Sequence, residues 1–218
     1  MDTFIFLEAS LEIVPEEISN HPAVVADALR RKKKVNEILL EDSKHHFAIR
    51  GLKFKEKRGR PEIVHQCLLL LLDSPLRTFE IYVHTIGDLL IKVAREARLP
   101  RNYARFIGLI EDLFKKWRIE ANGITLLEIV ELNLSEILKD KKVILLSESG
   151  EKFEKEMLKD EIAICIGAFP HGDFFESTLK KLGNFKAVSI GKRSYTSLYV
   201  TSKMLCEYER ARIDEFLY

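Results

Sequence analysis

The stretch EIAICIGAFPHG, residues 161–172, decides the fold that the sequence predicts. It begins as an unbroken apolar run of strand length and ends in a loop that two glycines bracket. This pattern is typical of a buried strand in a parallel sheet. A second stretch, FKAVSI at 185–190, ends in the loop GKRSYT at 191–196. Ligands of open α/β sheets bind at the carboxyl ends of such strands, so the two neighbouring exits predict one pocket between them.

The composition is that of a globular protein with a sizeable core. The chain has 218 residues, is 46% hydrophobic and 32% charged, and carries a formal net charge of +1. We therefore expect a single domain spanning 1–218. Three cysteines without metal-type spacing favour a reducing compartment, and the histidines lack the partners of a metal site. No leader pattern opens the chain and no apolar run reaches membrane length, so we expect a cytoplasmic protein with no membrane contact.

Strand and helix patterns alternate along the second half of the chain. This alternation predicts the α/β class, with a parallel or mixed sheet covered by helices. The apolar run 63–73 predicts a buried helix, and 126–138 is predicted to be helical at least in part. The charged region 151–159 is also predicted to be a helix. Residues 1–60 and the basic segment 92–118 lie outside the simplest version of this plan.

Four motifs follow one another in a recognisable order. They are RPEIVHQCLLLLLDSPL at 60–76, YVHT at 82–85, RLPR at 98–101 with Arg105-Phe106, and IGAFPHG at 166–172. Ser189-Ile190 and a terminal helical pattern with Lys203 and Glu209 complete the set. Together they resemble the small-subunit ribosomal RNA pseudouridine N1-methyltransferases, an archaeal and eukaryotic ribosome-biogenesis family of the SPOUT superfamily. The resemblance covers roughly residues 3–210, which is nearly the whole chain.

The resemblance implies a SPOUT-type α/β knot with family-specific N-terminal and central extensions. Its C-terminal part, approximately 143–212, would thread a deep trefoil knot, a rare exception to unknotted chains. The implied cofactor is S-adenosyl-L-methionine, held mostly by backbone in a pocket that the second subunit of a homodimer completes. Three walls are implied, at 84–85, 166–172 and 189–198. The implied binding residues are His84, Thr85, Ile166, Gly167, Ala168, Phe169, Gly172, Ser189, Ile190, Gly191, Tyr195, Thr196 and Leu198.

Arg60 and Glu62 are the candidate catalytic residues. Arg60 has an ordinary interpretation as a solvated charge, and Glu62 as a first-turn carboxylate at a helix N-terminus. Pseudouridine is joined to ribose through carbon, so its N1 carries a hydrogen that leaves as the methyl group arrives. The Arg60 guanidinium would stabilise the negative charge that then spreads onto the carbonyl oxygens. Glu62 stands where the family usually has Asp, and it would position Arg60 or accept the proton.

Three further arginines, Arg98, Arg101 and Arg105, recur at steps of three and four, so a helix would place them on one face. No acidic residue stands at the pairing positions, which is typical of a phosphate-binding surface. Together with Arg60 they are the predicted RNA-binding residues. The basic segments 30–34 and 53–58 are weaker candidates for the same surface.

A stripe on the terminal helix indicates packing rather than a cofactor site. In the superfamily that the sequence resembles, this helix contributes to the dimer contact, so the stripe is also a candidate contact with a second subunit. The stripe consists of Leu198, Thr201, Leu205 and Tyr208.

The sequence therefore predicts an S-adenosylmethionine-dependent methyltransferase that acts on N1 of a pseudouridine in small-subunit rRNA. The base would be reached by flipping or splaying it out of an RNA loop. Two alternatives stay open at this point. One is a non-catalytic rRNA-binding assembly factor, and the other is a knotted methyltransferase that acts on another RNA position.

Overall fold

Eight strands form one sheet in the computed structural model, which describes residues 1–76 and 78–212. In chain order they are β1 (Asp2–Ala9), β2 (Phe79–Thr85), β3 (Leu90–Val93), β4 (Arg118–Ala121), β5 (Ile124–Val130), β6 (Lys142–Lys152), β7 (Ile162–Gly167) and β8 (Phe185–Ser189). Their order across the sheet is β4-β5-β3-β2-β1-β7-β6-β8. The last five of these are parallel, whereas β3, β5 and β4 form an antiparallel edge. All five parallel strands therefore end at the same edge of the sheet.

Seven α-helices accompany the sheet in these residues. They are α1 (Pro22–Arg30), α2 (Asp42–Ile49), α3 (Pro61–Asp73), α4 (Tyr103–Lys116), α5 (Leu134–Leu138), α6 (Glu176–Leu182) and α7 (Ser197–Arg212). Pro61 suits the first position of α3, because its missing N–H would have no partner there. The mixed sheet with helices against it confirms the predicted α/β class.

The terminal helix α7 packs into the core of its own chain. The ring of Tyr208 lies edge-on to Phe4 and Phe79, with centroids 5.5 and 5.4 Å apart. Thr201 and Leu205 are buried as well, whereas Leu198 is exposed. The stripe is therefore packing, as predicted. The expectation that it faces a second subunit is wrong for Thr201, Leu205 and Tyr208, because they already fill the space beneath the sheet.

The N-terminal extension is shorter than predicted. Residues 2–9 form the central strand β1, so the part of the N-terminal extension that lies outside the sheet is residues 11–59. These residues form a lobe with α1, α2 and an apolar core of their own, which consists of Val14, Ile18, Val24, Ala28, Ile38, Leu40, Ala48, Ile49 and Leu52. We call residues 11–59 the N-terminal lobe.

One carboxylate joins the N-terminal lobe to α4. Glu111 is buried, and its Oε2 accepts from Arg31 Nη2 and Lys33 Nζ, each at 2.6 Å. Its Oε1 accepts from the backbone N–H of Leu39 at 2.9 Å. A buried carboxylate is stable only with such partners, so the lobe and α4 depend on each other.

One predicted helix is confirmed only in its last part, and another is wrong. Residues 124–130 form β5, which pairs with β3 and buries Leu127 and Ile129 on alternate positions, so only the short helix α5 remains of the predicted 126–138 helix. In the predicted 151–159 helix, Glu151 and Lys152 belong to β6, and the following turn, Lys155–Leu158, is a single 3-10 helix. Tertiary pairing outweighs the local pattern in both places.

Gly150 marks an unusually close approach between chain segments. β6 pairs with β8 as far as Leu146, loops out, and returns so that Glu151 again faces Val188. A Cβ atom at Gly150 would lie 2.6 Å from the backbone carbon of Ala187. Only glycine fits there without a backbone shift. The chain therefore crosses tightly against β8 before it enters β7, while the trefoil knot over 143–212 stays a prediction.

Candidate active site

A cavity of about 320 Å³ lies at the carboxyl ends of β6, β7 and β8. We call it the carboxyl-edge cavity. Seven residues named from the sequence line it: Ile166, Gly167, Phe169, Gly172, Ser189, Ile190 and Tyr195. The two stretches that predicted a shared pocket, 161–172 and 185–196, therefore do meet at one cavity. Its remaining lining residues are Leu146–Glu148, Pro170, His171, Asp173, Phe174, Val188, Arg193, Ser194, Ser197 and Val200.

Four other residues from the predicted loops adjoin the carboxyl-edge cavity without lining it. Ala168 is buried, with its N–H donating to the Leu7 carbonyl at 2.9 Å. Thr196 Oγ1 accepts from the N–H of Tyr199 at 3.3 Å at the start of α7. Gly191 lies under the Tyr195 ring, and Leu198 is exposed on α7.

The predicted third wall at 84–85 is not part of this cavity. β2 is separated from β7 by β1, which places its end roughly 10 Å from β7 at the usual strand spacing. His84 instead accepts from the N–H of Glu8 at 3.4 Å through Nδ1, and its Nε2 lies 2.8 Å from Asp88 Oδ1. Thr85 Oγ1 accepts from the N–H of Leu89. These side chains are used to shape the β2–β3 hairpin.

Residues 146–148 supply the third wall, and sequence reasoning missed them. The signal was present, because the strand at 143–146 was predicted, and in a parallel sheet its end lies at the same edge as the end of β7. Ser197, inside the predicted wall 189–198, and Val200, beyond it, also line the cavity. They reach the cavity because α7 begins directly beneath it, with Ser197 Oγ donating to the Gly167 carbonyl at 2.6 Å.

The loop backbone is held close to the cavity by small residues. A Cβ atom at Gly167 would lie 3.1 Å from Phe169 Cε1 and 3.2 Å from Phe174 Cζ. Ser189 Oγ donates to the Gly191 carbonyl at 2.5 Å. Such a backbone-walled cavity, at the lower end of the usual size range for small-molecule sites of about 300–1,000 Å³, fits a ligand that is recognised through main-chain N–H and C=O groups.

A buried ion pair supports the loop 169–175 from behind. Lys57 is 1% exposed, and its Nζ donates to Glu8 Oε2 and to the Asp173 carbonyl. The same ammonium group stands 3.7 Å from the centroid of the Phe169 ring. Glu8 Oε1 accepts from the N–H of Phe175 at 2.7 Å. These contacts attach the end of the N-terminal lobe to a loop that lines the carboxyl-edge cavity.

The candidate catalytic residues Arg60 and Glu62 form an ion pair through Arg60 Nε and Glu62 Oε1. Both side chains are partly exposed. The N–H of Arg60 donates to Ser10 Oγ at 2.7 Å, and the N–H of Ser10 donates to the Ala168 carbonyl at 2.9 Å. Two hydrogen bonds therefore connect Arg60 to the loop 166–172. The structure thus brings this pair and the cavity loop together.

Tyr103 is the first residue of α4 and lies near the Arg60–Glu62 pair. Its hydroxyl donates to Glu41 Oε2 at 3.1 Å. Burial raises the pKa of Tyr103, and the carboxylates of Glu41 and Glu62 raise this pKa further. The phenol therefore stays protonated and acts as a hydrogen-bond donor.

The predicted helical stripe of arginines is wrong in its geometry. α4 begins at Tyr103, so Arg98 and Arg101 precede the helix and only Arg105 belongs to it. All three are exposed. Arg101 Nη2 lies 3.0 Å from both oxygens of Asp73, at the far end of α3 from Arg60. That end lies about 18 Å along the helix from Pro61, so the arginines are spread along α3 rather than gathered at one point.

His65 fixes the arginine segment to α3. Its Nε2 lies 2.7 Å from the Pro100 carbonyl, and its ring stacks on Phe106 with centroids 4.2 Å apart. Among the described residues, the guanidinium groups of Arg98 and Arg105 make no hydrogen bond or ion pair. We call Arg60, Arg98, Arg101 and Arg105 the arginine face.

Most basic residues of the two weaker candidate segments, 30–34 and 53–58, form ion pairs within the protein. In segment 30–34, Arg30 pairs with Asp27, and Arg31 and Lys33 hold Glu111. In segment 53–58, Lys57 is buried and Arg58 pairs with Glu12 at 2.6 Å. Arg31, Lys33 and Lys57 are structural because buried carboxylates require them, and an RNA role of segments 30–34 and 53–58 stays a prediction.

Within residues 1–76 and 78–212, no three His, Cys, Asp or Glu side chains are placed to hold a metal ion. None of the helices in this part of the chain is long and apolar enough to cross a membrane.

The sheet, the carboxyl-edge cavity and the arginine face define an α/β protein with a nucleotide-type cofactor site. Comparison with known proteins makes this specific. The family model described as EMG1/NEP1 methyltransferase matches residues 4–209. The chain therefore belongs to the EMG1/NEP1 methyltransferase family, as its motifs predicted.

Individual relatives agree over nearly the whole chain. Ribosomal RNA small subunit methyltransferase Nep1 of Archaeoglobus fulgidus is 61% identical over 210 residues, which cover 96% of each chain. The protein of the same name from Saccharolobus solfataricus is 47% identical, over 85% of this chain and 87% of its own. A crystal structure of Archaeoglobus fulgidus Nep1 bound to S-adenosylhomocysteine superposes with a TM-score of 0.96 and 60% identity, covering 97% of this chain and 99% of that one.

Proposed function

We propose that this protein is an S-adenosylmethionine-dependent methyltransferase that methylates N1 of a pseudouridine in small-subunit rRNA during ribosome biogenesis. Family membership and the names of the relatives support the methyltransferase class and the rRNA substrate. The observation that carries the proposal is the attachment of the Arg60–Glu62 pair to the cavity loop through Ser10 and Ala168. A charge-stabilising group thereby stands beside a cofactor-sized cavity.

The carboxyl-edge cavity is the proposed cofactor site. A relative was crystallised with S-adenosylhomocysteine, the product form of this cofactor. Residues 166–172 and 189–195 would hold the cofactor mainly through backbone groups, with residues 146–148 as the third wall. When bound, S-adenosylmethionine supplies an electrophilic methyl group on a sulfonium sulfur. The loops serve to orient it and to exclude water.

Arg60 is the proposed stabiliser of the uracil anion. Loss of the N1 proton leaves negative charge on the carbonyl oxygens beside N1, and a guanidinium group binds such charge with two or more N–H donors. Glu62 holds Arg60 Nε, which aims the remaining donors away from Glu62. Because its carboxylate is already engaged, we assign Glu62 the positioning of Arg60 ahead of proton acceptance.

The arginine face is the proposed phosphate-binding surface. Arg98 and Arg105 carry exposed charges, and Arg101 is held only by the exposed Asp73. An exposed ion pair contributes little to stability, so a phosphate can replace Asp73 at little cost. The arginines lie along α3, and they therefore suit an extended RNA backbone better than a single phosphate.

We also propose that the protein is a homodimer whose second subunit completes the cavity. Tyr195 lines the cavity and stacks on Tyr199 with centroids 5.0 Å apart. Tyr195, Tyr199 and Leu198 are all exposed in the single chain. Such an apolar surface beside a ligand site is typical of a subunit contact. The knotted topology of 143–212 and the cytoplasmic location remain parts of this proposal.

A pair of RNA hairpins tests the reaction. Both carry the same sequence, with pseudouridine or uridine at the target position, and methyl transfer from labelled S-adenosylmethionine is measured. We expect labelling of the pseudouridine hairpin alone, because N1 of uridine is bonded to sugar. Equal labelling of both would contradict the N1 assignment. Cofactor binding without labelling of either would favour a non-catalytic assembly factor.

A further inference from the structure

Exposed aromatic and basic residues lie on the N-terminal lobe, outside the arginine face. They are Phe47, Arg50, Lys53, Phe54 and Lys55, and we call them the aromatic strip. Phe47 is 68% exposed and Phe54 is 55% exposed. The other large hydrophobic side chain of the lobe that is exposed to this extent is Leu29, which has no aromatic ring. Two solvated phenyl rings within eight positions call for a partner with a flat face.

Phe47 is framed by cationic or ring nitrogen groups. The guanidinium carbon of Arg50 lies 5.2 Å from the centroid of the Phe47 ring. The His46 ring meets it edge-on, with centroids 5.6 Å apart. Arg50 Nη2 lies 3.2 Å from His46 Nε2, and within the described residues Arg50 pairs with no carboxylate. A phenyl ring beside such a guanidinium suits an unpaired base together with its phosphate.

Phe54 adopts a left-handed backbone conformation. Its φ is +54°, in a region that bulky residues rarely adopt. Backbone strain of this kind clusters at ligand-binding positions. Its ring contacts Phe175 with centroids 4.7 Å apart, and Phe175 follows the loop that lines the carboxyl-edge cavity. The aromatic strip therefore reaches the rim of that cavity.

The other end of the strip rests on the catalytic segment. The N–H of Asp42, at the start of α2, donates to the Gly59 carbonyl at 2.7 Å, one residue before Arg60. Phe47 lies five residues further along α2, beyond a break in the helical geometry at His45. The strip is thus joined to the catalytic segment through the first turn of α2.

We propose that the aromatic strip binds the unpaired nucleotides that flank the target base, with Phe47 and Phe54 stacking on bases and Lys53 and Lys55 pairing with phosphates. This inference rests on the proposed rRNA substrate. Between 47 and 56 the chain carries three basic residues and one acidic residue, Glu56. Lys53 and Lys55 make no ion pair within the described residues. This charge favours a polyanion over a second copy of the same basic surface.

The test compares binding of two RNA hairpins to the full-length protein. One hairpin carries pseudouridine with unpaired neighbours, and the other is abasic at those two neighbours. We expect Phe47→Ala to raise the Kd of the first hairpin about tenfold and to leave the second unchanged, because only the stacked base is lost. Phe54→Asn, which tolerates the left-handed conformation, should act in the same direction. Leu29→Ala is the matched control and should change neither Kd.

Other outcomes overturn the inference. An unchanged Kd for both aromatic variants, or an equal loss with the abasic hairpin, would show that no base stacks there. A change in oligomeric state on sedimentation would identify the strip as a protein contact instead. Cofactor affinity and the single-turnover rate at saturating RNA should match wild type in the control Leu29→Ala. If wild-type protein shows the stacking effect without methylating either hairpin of the reaction test, the proposed function fails and this inference stands.

Discussion

The carboxyl-edge cavity is built mainly from backbone groups, whereas the arginine face is built from charged side chains. The cavity is walled by loops at 166–174 and 188–195 that approach through their backbone, and it has small residues where the chain comes closest. The arginine face consists of four long side chains, three of them exposed and spread along α3. Substitutions in the cavity should therefore act through shape, whereas those on the arginine face should act through charge.

The difference extends to what each region tolerates. Backbone recognition depends little on the side chains of the residues that supply it. Side-chain recognition by charge is additive and sensitive to salt. One residue, Lys57, connects the two regions, since it is followed closely by Arg60 and bonded to the loop 169–175.

The largest expected effect comes from cutting that connection. Lys57→Met would leave Glu8 buried without its partner, and we expect the free energy of unfolding to fall by about 3–5 kcal/mol. Urea denaturation measures this loss, and calorimetry with S-adenosylhomocysteine should show weaker binding. The double variant Glu8→Gln with Lys57→Met removes both charges and should recover most of the stability. A single variant as stable as wild type would contradict the structural role of the pair.

The next effect belongs to the chemistry. Arg60→Ala should lower the single-turnover rate about 10²–10³-fold, the usual result of removing one group that stabilises a developing anion. Calorimetry should give an unchanged affinity for S-adenosylhomocysteine, because the side chain of Arg60 does not line the carboxyl-edge cavity. Arg118→Ala, which removes an exposed and ion-paired arginine of β4, is the control. Loss of cofactor affinity in Arg60→Ala would show that the two regions are not separable.

A change of shape inside the cavity should have a smaller effect. In Gly167→Ala the new methyl group meets the rings of Phe169 and Phe174. We expect a roughly tenfold loss of cofactor affinity, equivalent to about 1.4 kcal/mol, with RNA affinity unchanged. Gly108→Ala in α4 is matched, because nothing lies within 4 Å of its new Cβ. That control should be slightly stabilising, as alanine suits a helix better than glycine. Equal behaviour of the two variants would reject the backbone cradle.

Removal of one outlying charge should weaken RNA binding by less than tenfold. Arg101→Ala should lower affinity for all RNA sequences alike and reduce the slope of log K against log salt concentration by about 1. Filter binding between low and moderate salt measures both quantities. Cofactor affinity should not change. An unchanged salt slope would mean that Arg101 stays with Asp73 in the complex.

The smallest expected effect is a pH dependence of folding stability that arises from His45 in the N-terminal lobe. Burial lowers the pKa of His45 from its ordinary 6.5, and its Nε2 stays 3.6 Å from Asp27. The unfolded chain then binds more protons, so stability should fall as the pH drops through 6.5, by less than about 1.4 kcal/mol per pH unit. Urea denaturation at pH 7.5 and 5.5 should show a smaller difference in His45→Gln. The exposed His46→Gln should behave as wild type.

Much of the fold could be predicted because local pattern and tertiary role agree. The apolar run 162–166 is buried on both faces, so its composition already reports its position in the sheet. The pattern failed at 124–130, where apolar residues spaced as in a helix also suit a strand with one buried face. Pairing with β3 decides between them, and that partner is distant in sequence.

The site was predicted where backbone defines it and missed where distant partners do. The glycines of 166–172 announce a close approach, whereas nothing in segment 53–58 shows that Lys57 is buried and its neighbour Lys55 is not. The difference arises from Glu8, 49 residues away. The walls at 146–148 were predictable from the strand before them, but His84 and Thr85 were assigned to a wall before the strand order was known.

Three donors from the N-terminal lobe bind Glu111 of α4, so the N-terminal lobe and the segment 92–118 depend on each other. A chimaera that took α4 from a homologue but kept residues 11–59 would place a carboxylate opposite unsuited donors, or two cations opposite nothing. Grafting experiments on this scaffold should therefore exchange the N-terminal lobe and residues 92–118 together, even though α3 and β2 separate them along the chain.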